Sequence, residues 1–201
     1  MEIDLRKIEP RYAHDLLTSS IIPRPIAWVS TFSENNEVNL APFSFFTGIS
    51  WCPPALAFSV ANRDDGTKKD TLINIEKTKE CVVNIVCVDH LPAMESTAKR
   101  IPYGEDLAYV NGVTLVPSKT IKPYRIHEAK VSFECVLDRI VTIGEGAYAG
   151  NLIIGRIQLF HAVDEIVING REIDWEGLDA LGRLSGSRYC TTHCVIESEK
   201  N

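Results

Sequence analysis

Apolar side chains in this chain recur mainly at every second position, which is the spacing of β-strands. Within Val131–Ile143, apolar residues alternate with Ser132, Glu134 and Asp138. A period of two with polar alternates indicates a strand that buries one face. Further strands are predicted where apolar and β-branched residues concentrate, over residues 25–32, 55–61, 81–88 and 151–167. The pattern therefore predicts a domain dominated by strands.

Two short helices interrupt the predicted strands. Asp70 is positioned to cap a helix that continues to about Lys77, and residues 92–99 predict another, with Pro92 in its first turn. Many strands with few helices are typical of a mainly β domain of the α+β kind, closed or sandwiched. The sequence contains no Gly-x-Gly-x-x-Gly or Walker segment, which argues against a Rossmann or P-loop nucleotide site.

Composition and charge narrow the class of protein. The 201 residues, 45% hydrophobic and 24% charged, suit one globular domain over residues 1–201. A net charge of −6 disfavours nucleic acid and anionic membranes as general partners. The start of the chain lacks the features of a signal peptide, and no apolar run is long enough for a membrane helix. We therefore expect a cytoplasmic protein whose six cysteines are thiols.

Two segments combine apolar and polar groups in a way that suits a flat polar ligand. Residues 24–31 predict a strand that ends in the hydroxyls of Ser30 and Thr31, although these residues alone favour a core strand that ends in a polar turn. Residues 39–46 mix small, hydroxyl and phenylalanine side chains, which offers stacking area beside directional donors and acceptors; the alternative is an aromatic core strand. The candidates in this second segment are Asn39, Ala41, Pro42, Phe43, Ser44, Phe45 and Phe46.

A third segment suits an anion. Lys69 and Thr71 lie where a helix is predicted to begin, and the first turn of a helix carries unpaired N–H groups and partial positive charge. Lys69 would add a cation and Thr71 a hydroxyl, with Arg63 and Lys68 raising the local potential. The alternative is a capped helix with solvated lysines.

The C-terminal part of the chain holds two weaker candidates. Residues 182–189 combine two glycines with Arg183 and Tyr189, which could approach and cover an aromatic ring, or could form an ordinary surface loop. Further on, Cys190, His193 and Cys194 could ligate a metal, but tetrahedral zinc normally requires four ligands and no second Cys/His pair has suitable spacing. We expect no metal there.

Taken in order, these segments resemble the flavin reductase-like proteins of the FMN-binding split-barrel superfamily. The resemblance covers about residues 20–189 and depends on residues 24–31, 39–46, 69–71, 81–84 and 183–189. It implies an antiparallel split β-barrel, a homodimer, and FMN bound near the dimer interface. By position, Ser30, Thr31, Lys69 and Thr71 correspond to phosphate or ribityl contacts, residues 39–46 to the ring site, and Arg183 and Tyr189 to later parts of the pocket.

The resemblance also implies an activity. In this family NADH or NADPH reduces the flavin, and the electrons pass to a free flavin, a flavin-using oxygenase or another acceptor. Many members carry Gly-Asp-His on the later strands, whereas residues 148–152 here are Tyr-Ala-Gly-Asn-Leu. That difference favours a second hypothesis, a flavin-binding or storage protein with little turnover. Oxidation of a pyridoxamine phosphate and a non-enzymatic β-barrel interaction module are further alternatives, and no residue is assigned a catalytic role.

Overall fold

The computed structural model describes residues 1–99, 107, 112–196 and 198. Its main element is a seven-stranded antiparallel sheet, so the predicted mainly β class is confirmed. The strands are β1 (Arg24–Pro25), β2 (Ala27–Phe32), β3 (Val38–Phe43), β4 (Phe46–Trp51), β5 (Pro54–Ala61), β6 (Glu80–Ile85), β7 (Leu115–Val116), β8 (Arg125–Ile126), β9 (Val131–Ile143), β10 (Gly150–Ala162), β11 (Val167–Ile168), β12 (Glu172–Ile173), β13 (Gly182–Arg183) and β14 (Tyr189–Cys190).

In the described ranges, four α-helices accompany the strands: α1 (Pro10–Ser20), α2 (Asp70–Thr78), α3 (Leu91–Thr97) and α4 (Trp175–Leu178). Three single 3-10 turns lie at Leu5–Lys7, Val88–His90 and Asp164–Ile166. The predicted helices correspond to α2 and α3, but α1 was not predicted. The strand predicted over residues 151–167 ends at Ala162, where the turn at Asp164–Ile166 follows. Among the described residues, no helix is both long and apolar enough to cross a membrane.

The large sheet has the order β3-β2-β6-β9-β10-β5-β4 and curls around a core. Four strands separate β3 from β5 in this order, yet the rings of Phe43 and Phe58 have centroids 5.7 Å apart. Phe58, Ile153 and Leu72 of α2 are fully buried in the space that the sheet encloses. The curvature therefore creates an interior that α2 covers from one side.

The alternation of β2 divides its side chains between two cores. Ala27 and Val29 belong to the interior of the curled sheet, whereas Trp28 packs on the other face with Leu40 and Met94. Successive side chains of a strand point to opposite faces, so a strand buried on both sides is mostly apolar, as β2 is apart from Ser30 and Thr31. All six residues of β2 are buried.

One amide side chain joins several strands beneath the second core. Asn84 of β6 donates to the carbonyl oxygen of Trp28 at 3.0 Å, and its Oδ1 accepts from the backbone N–H of Ile126 at 3.1 Å and from the Ser132 hydroxyl at 2.8 Å. The side chain is fully buried. Since buried polar groups require partners, Asn84 fixes β2, β8 and β9 relative to β6.

A second buried polar group secures a loop. Glu134 of β9 accepts hydrogen bonds from the backbone N–H groups of Lys119 and Thr120, both at 2.7 Å, and lies 2.7 Å from Nε2 of His161. Burial raises the pKa of Glu134, but the bonds from Thr120, Lys119 and His161 outweigh it and lower that pKa to about 2. The carboxylate is therefore ionised in the folded protein.

Candidate functional site

A cleft of about 1060 Å³ opens where α2 begins. One wall is formed by β3 and the turn after it, and a second by the end of β5 together with residues 62–64 and 69–71. The third wall comes from α1 and from the end of α3. This volume is at the upper end of the range for small-molecule sites, so the cleft can hold a large ligand. Eight of the predicted residues line it: Asn39, Ala41, Pro42, Phe43, Ser44, Phe45, Lys69 and Thr71.

The start of α2 is the cationic end of this cleft. Lys69 occupies the N-cap position, and the first N–H groups of the helix have no partner inside it. No carboxylate in the described part of the chain pairs with the Lys69 ammonium group, which lies 5.8 Å from the centre of the Phe43 ring. Burial, and then the charge of nearby Arg63, lower the pKa of Lys69. Two adjacent cations and a helix N-terminus make this a place where an anion is stabilised.

Asp70 does not oppose that charge, because it is already paired. Its Oδ1 lies 2.6 Å from Nη2 of Arg63, and Arg63 also donates through Nη1 to the carbonyl oxygen of Lys68. The sequence suggested Asp70 as the cap of α2, but Lys69 occupies the N-cap position and Asp70, the first helical residue, pairs with Arg63 instead. Lys68 is turned away and binds Glu76 at 2.6 Å, so it is Lys69 that faces the cleft.

A network of amide and hydroxyl groups orients Thr71. Asn39 donates through Nδ2 to Thr71 Oγ1 at 2.9 Å and lies 3.3 Å from Thr31 Oγ1, which also accepts from Asn74 at 3.1 Å. Because the Thr71 oxygen accepts from an amide, its own hydrogen is left to donate to a ligand. Thr31 is fully buried, so it acts beneath Asn39 and does not line the cleft.

The segment from Ala41 to Phe45 forms the apolar wall. Ala41, Pro42 and Ser44 are half-buried, and Phe45 is 41% exposed toward solvent. Phe43 is buried and contributes the ring beneath Lys69. Phe46 belongs to β4, where it pairs with Phe58 and packs against the inner core, and it does not line the cleft. The wall therefore offers apolar area beside the Ser44 hydroxyl and exposed backbone.

Three predicted residues lie away from the cleft of a single chain. Ser30 points to the opposite face of β2 from Thr31, and its hydroxyl donates to the carbonyl oxygen of Tyr124. Arg183 stacks 4.5 Å over the ring of Tyr189 and donates to its hydroxyl, which in turn donates to Glu95 at 3.0 Å. Their roles as flavin contacts stay predictions, and for Arg183 and Tyr189 the prediction requires a second chain.

The C-terminal cysteines and histidine are likewise separate from the cleft. His193 Nε2 lies 2.9 Å from an oxygen of Asp179, and Cys190 belongs to β14. Within the described ranges, no group of three or more His, Cys, Asp or Glu side chains is arranged to hold a metal ion. The expectation of no metal at Cys190, His193 and Cys194 stays a prediction.

The wall of the cleft that α1 forms was not predicted from the sequence. Pro10, Arg11, His14, Leu17 and Thr18 of α1 face the cleft, and Lys99 lies near the end of α3. Two signals were present in the sequence: Pro10 at a favoured N-terminal position, and apolar residues three and four positions apart after it. Its last three residues, Thr-Ser-Ser, have weak helix propensity and obscure that pattern.

Comparison with known proteins agrees with this geometry. Residues 18–171 match the model of the flavin reductase like domain. The structure of nitrilotriacetate monooxygenase component B from Bacillus cereus is 33% identical, with a TM-score of 0.93 over 98% of each chain. That of 2-nitrobenzoate 2-nitroreductase from Pseudomonas fluorescens is 26% identical, with a TM-score of 0.88 over 100% of this chain and 96% of that one.

A third structure bears on the fold alone. A protein with a split barrel domain from Shewanella frigidimarina is 16% identical, with a TM-score of 0.83 over the full length of both chains. The curled seven-stranded sheet is therefore a split barrel. The family model covers most of the chain, and the barrel carries a cleft with a cationic end and an aromatic wall. The chain belongs to the flavin reductase-like domain family.

Proposed function

We propose that this protein binds FMN in the cleft and uses it to pass electrons from NADH or NADPH to a flavin or another acceptor. The observation that carries the proposal is that one cleft joins an anion-binding end, at Lys69 and Thr71, to an apolar aromatic wall, at residues 41–45. FMN has the same two parts, a phosphate and a flat ring system. Family membership supports a flavin-related oxidoreductase.

The phosphate is assigned to the start of α2. A chain of net charge −6 cannot attract a dianion through its overall field, so local donors must hold it. Lys69 pairs with no carboxylate among the described residues, Arg63 is oriented by Asp70, and the Thr71 oxygen accepts from Asn39, which leaves its hydrogen to donate. These groups fit a phosphate and would hold it with charge-assisted hydrogen bonds.

The ring system is assigned to the wall formed by residues 41–45. Bound FMN would supply an isoalloxazine ring that accepts a hydride and releases electrons singly or in pairs. Phe45 and Pro42 would cover apolar area of the ring, while Ser44 and the neighbouring backbone would supply hydrogen bonds to its edge. Ser59, Ala61 and Gly150 have small side chains, or none, so that β5 and β10 leave room for the ring.

Two relatives suggest the type of acceptor. One is component B of a monooxygenase and the other a nitroreductase. A flavin-using oxygenase or a nitro-type small molecule is therefore a reasonable acceptor to test first. A flavin carrier with little turnover is the second candidate, because Tyr148 and Gly150 border the cleft and belong to residues 148–152, which lack the Gly-Asp-His that the family resemblance leads us to expect.

We further propose that the protein is a homodimer. On the outer face of the sheet, Val141 of β9, Leu152 of β10 and Ser59 of β5 lie side by side, with Ile143 and Ile154 in the neighbouring rows. Val141 is 43% exposed and Ile143 69%. This apolar face borders the cleft through Ser59, so a second chain covering it would also adjoin the flavin. We also propose that the protein is cytoplasmic, because its six cysteines are free thiols, as expected in a reducing compartment.

Purification followed by a visible spectrum tests flavin binding. The expected protein is yellow, or becomes so with FMN, at about one flavin per chain. Anaerobic addition of NADH or NADPH should then bleach the flavin. Colourless protein whose stability and fluorescence FMN does not change would refute the flavin assignment, and a bound flavin that neither nucleotide reduces would favour the carrier.

A further inference from the structure

The helix α1 contributes one wall of the cleft but is attached to the barrel by very little packing. Thr18 is its only buried residue, and Tyr12 and Leu17 are each 43% exposed. No residue of α1 belongs to either hydrophobic core. Most of the stability of a helix in a protein comes from packing of an apolar face. Some other interaction must therefore hold α1 beside the cleft.

Arg24 supplies that interaction. Its Nη1 donates to the carbonyl oxygens of Thr18, at 2.5 Å, and of Ile21, at 2.8 Å, and its Nη2 donates to Leu184 at 2.9 Å. Thr18 belongs to the last turn of α1 and Ile21 is its C-cap residue. A single guanidinium group thus joins the end of α1 to the segment after β13.

The guanidinium also connects α1 with the opposite wall. Its central carbon lies 6.0 Å from the centre of the ring of Phe45, which belongs to the apolar wall of the cleft. Arg24 is 5% exposed, and no carboxylate among the described residues pairs with it. A buried cation without a counter-ion is costly, and the negative end of a helix is what offsets that cost here.

We infer that Arg24 is a positioning residue that fixes α1 as the substrate wall of the cleft. This inference rests on the proposed function, since it takes the flavin to lie along residues 41–45. The space between that wall and α1 is then where the second substrate binds. Arg11, His14 and Asp15 of α1 and Lys99 line this side of the cleft, so its basic side chains outnumber its one carboxylate, whereas Lys69 and Arg63 lie at the phosphate end. The substrate that fits is a flat, anionic electron donor or acceptor.

The central experiment replaces Arg24 by methionine and by lysine in the full-length, FMN-loaded protein. Amide hydrogen exchange over Pro10–Ser20 reports the docking of α1 directly. Arg24→Met should raise the exchange rates of residues 17–21 at least tenfold. Arg24→Lys keeps the charge but lacks the planar set of N–H donors of the guanidinium group, so its exchange rates should lie between those of Arg24→Met and the native protein. Arg171→Met, at an exposed turn, is the matched control and should change nothing.

Steady-state kinetics separate positioning of the wall from damage to the barrel. In Arg24→Met the KM for the nicotinamide nucleotide should rise about tenfold, while kcat and the Kd of FMN change less than twofold. Unchanged exchange in α1 would overturn the inference, as would equal loss of FMN and nucleotide binding. If neither nucleotide reduces the native protein, the proposed function fails, and the exchange measurement still decides whether Arg24 holds α1.

Discussion

Lys69 is the residue on which the assignment of the phosphate depends most. Within the part of the chain that the structure describes, no carboxylate pairs with its ammonium group. Burial and the charge of Arg63 lower the pKa of Lys69, so a bound anion would stabilise its charged form. Removing Lys69 and the Thr71 hydroxyl together should weaken FMN binding by about 10²-fold or more, since charge-assisted hydrogen bonds contribute roughly 1.5–3 kcal/mol each. Fluorescence titration of Lys69→Ala/Thr71→Ala measures this.

Two controls make that titration specific. Riboflavin lacks the phosphate, so its affinity should barely change in the double variant. Lys68→Ala removes the adjacent lysine, which binds Glu76 outside the cleft, and should leave FMN affinity within about twofold. Equal losses for riboflavin and FMN would show that the damage lies in the barrel and that residues 69–71 only begin a helix.

Glu134 makes the stability of the protein dependent on acid pH. Its pKa of about 2 in the folded state lies below the ordinary value of 4.5, so the folded state favours the ionised carboxylate. The corresponding stabilisation, about 3 kcal/mol, is present above pH 4.5 and is lost as the pH falls toward 2. Urea unfolding between pH 6 and 3 should show this loss.

The Glu134→Gln variant isolates that effect. It cannot ionise, so it should be less stable than the native protein at pH 6 and should lose less stability on acidification. An unchanged slope of stability against pH in this variant would assign the acid sensitivity to other carboxylates. Glu76→Gln, at the exposed pair with Lys68, is a suitable control.

At the scale of elements, the buried amide of Asn84 is the main link between strands on the outer side of β6. Asn84→Ala leaves the N–H of Ile126 and the hydroxyl of Ser132 without this acceptor. We expect a loss of about 2–4 kcal/mol in the free energy of unfolding, measured by urea denaturation. Asn35→Ala, on an exposed turn, should cost less than about 0.5 kcal/mol; a similar small loss at Asn84 would contradict the assigned role.

The bounds of strands and helices were predicted correctly where the sequence pattern is strong and local. The bounds of β9 coincide with the prediction, because one face of that strand is polar and the alternation is visible. Helix α2 ends one residue beyond the predicted end, since its apolar spacing is local information. The wall formed by α1 was missed, because the three residues that end the helix, Thr-Ser-Ser, have weak helix propensity and obscure its apolar spacing.

The site residues were also predicted well where the signal is local in the sequence and poorly where it is not. The segments 39–46 and 69–71 were predicted as binding segments, and the structure brings both to one cleft except for Phe46, which packs against the inner core. Ser30 and Thr31 were predicted together, but the alternation of a strand sends their side chains to opposite faces. The role of Arg24 depends on contacts with Leu184, 160 positions away, which no local pattern contains.

At the scale of the whole molecule, the apolar outer face around Leu152 leads us to expect a homodimer. Light scattering at micromolar concentration should give about twice the chain mass of 22.4 kDa. The double variant Leu152→Asp/Ile154→Asp places charges on this face and should yield a monomer. Its FMN binding should also be weaker, because the proposed dimer interface borders the cleft. Ile168→Asp, on the separate β11–β12 hairpin, is the control and should stay dimeric. A monomer of the native chain would refute the interface.

The shallow attachment of α1 has a consequence for how such a protein can change. Both hydrophobic cores exclude α1, so the free energy of folding depends little on the eleven residues of that helix. Substitutions at its exposed positions are therefore nearly neutral for stability, whereas substitutions at Phe43 disturb the barrel. Natural selection or laboratory evolution can thus retune which molecules the cleft accepts by altering one helix, while the opposite wall keeps its sequence and its ligand.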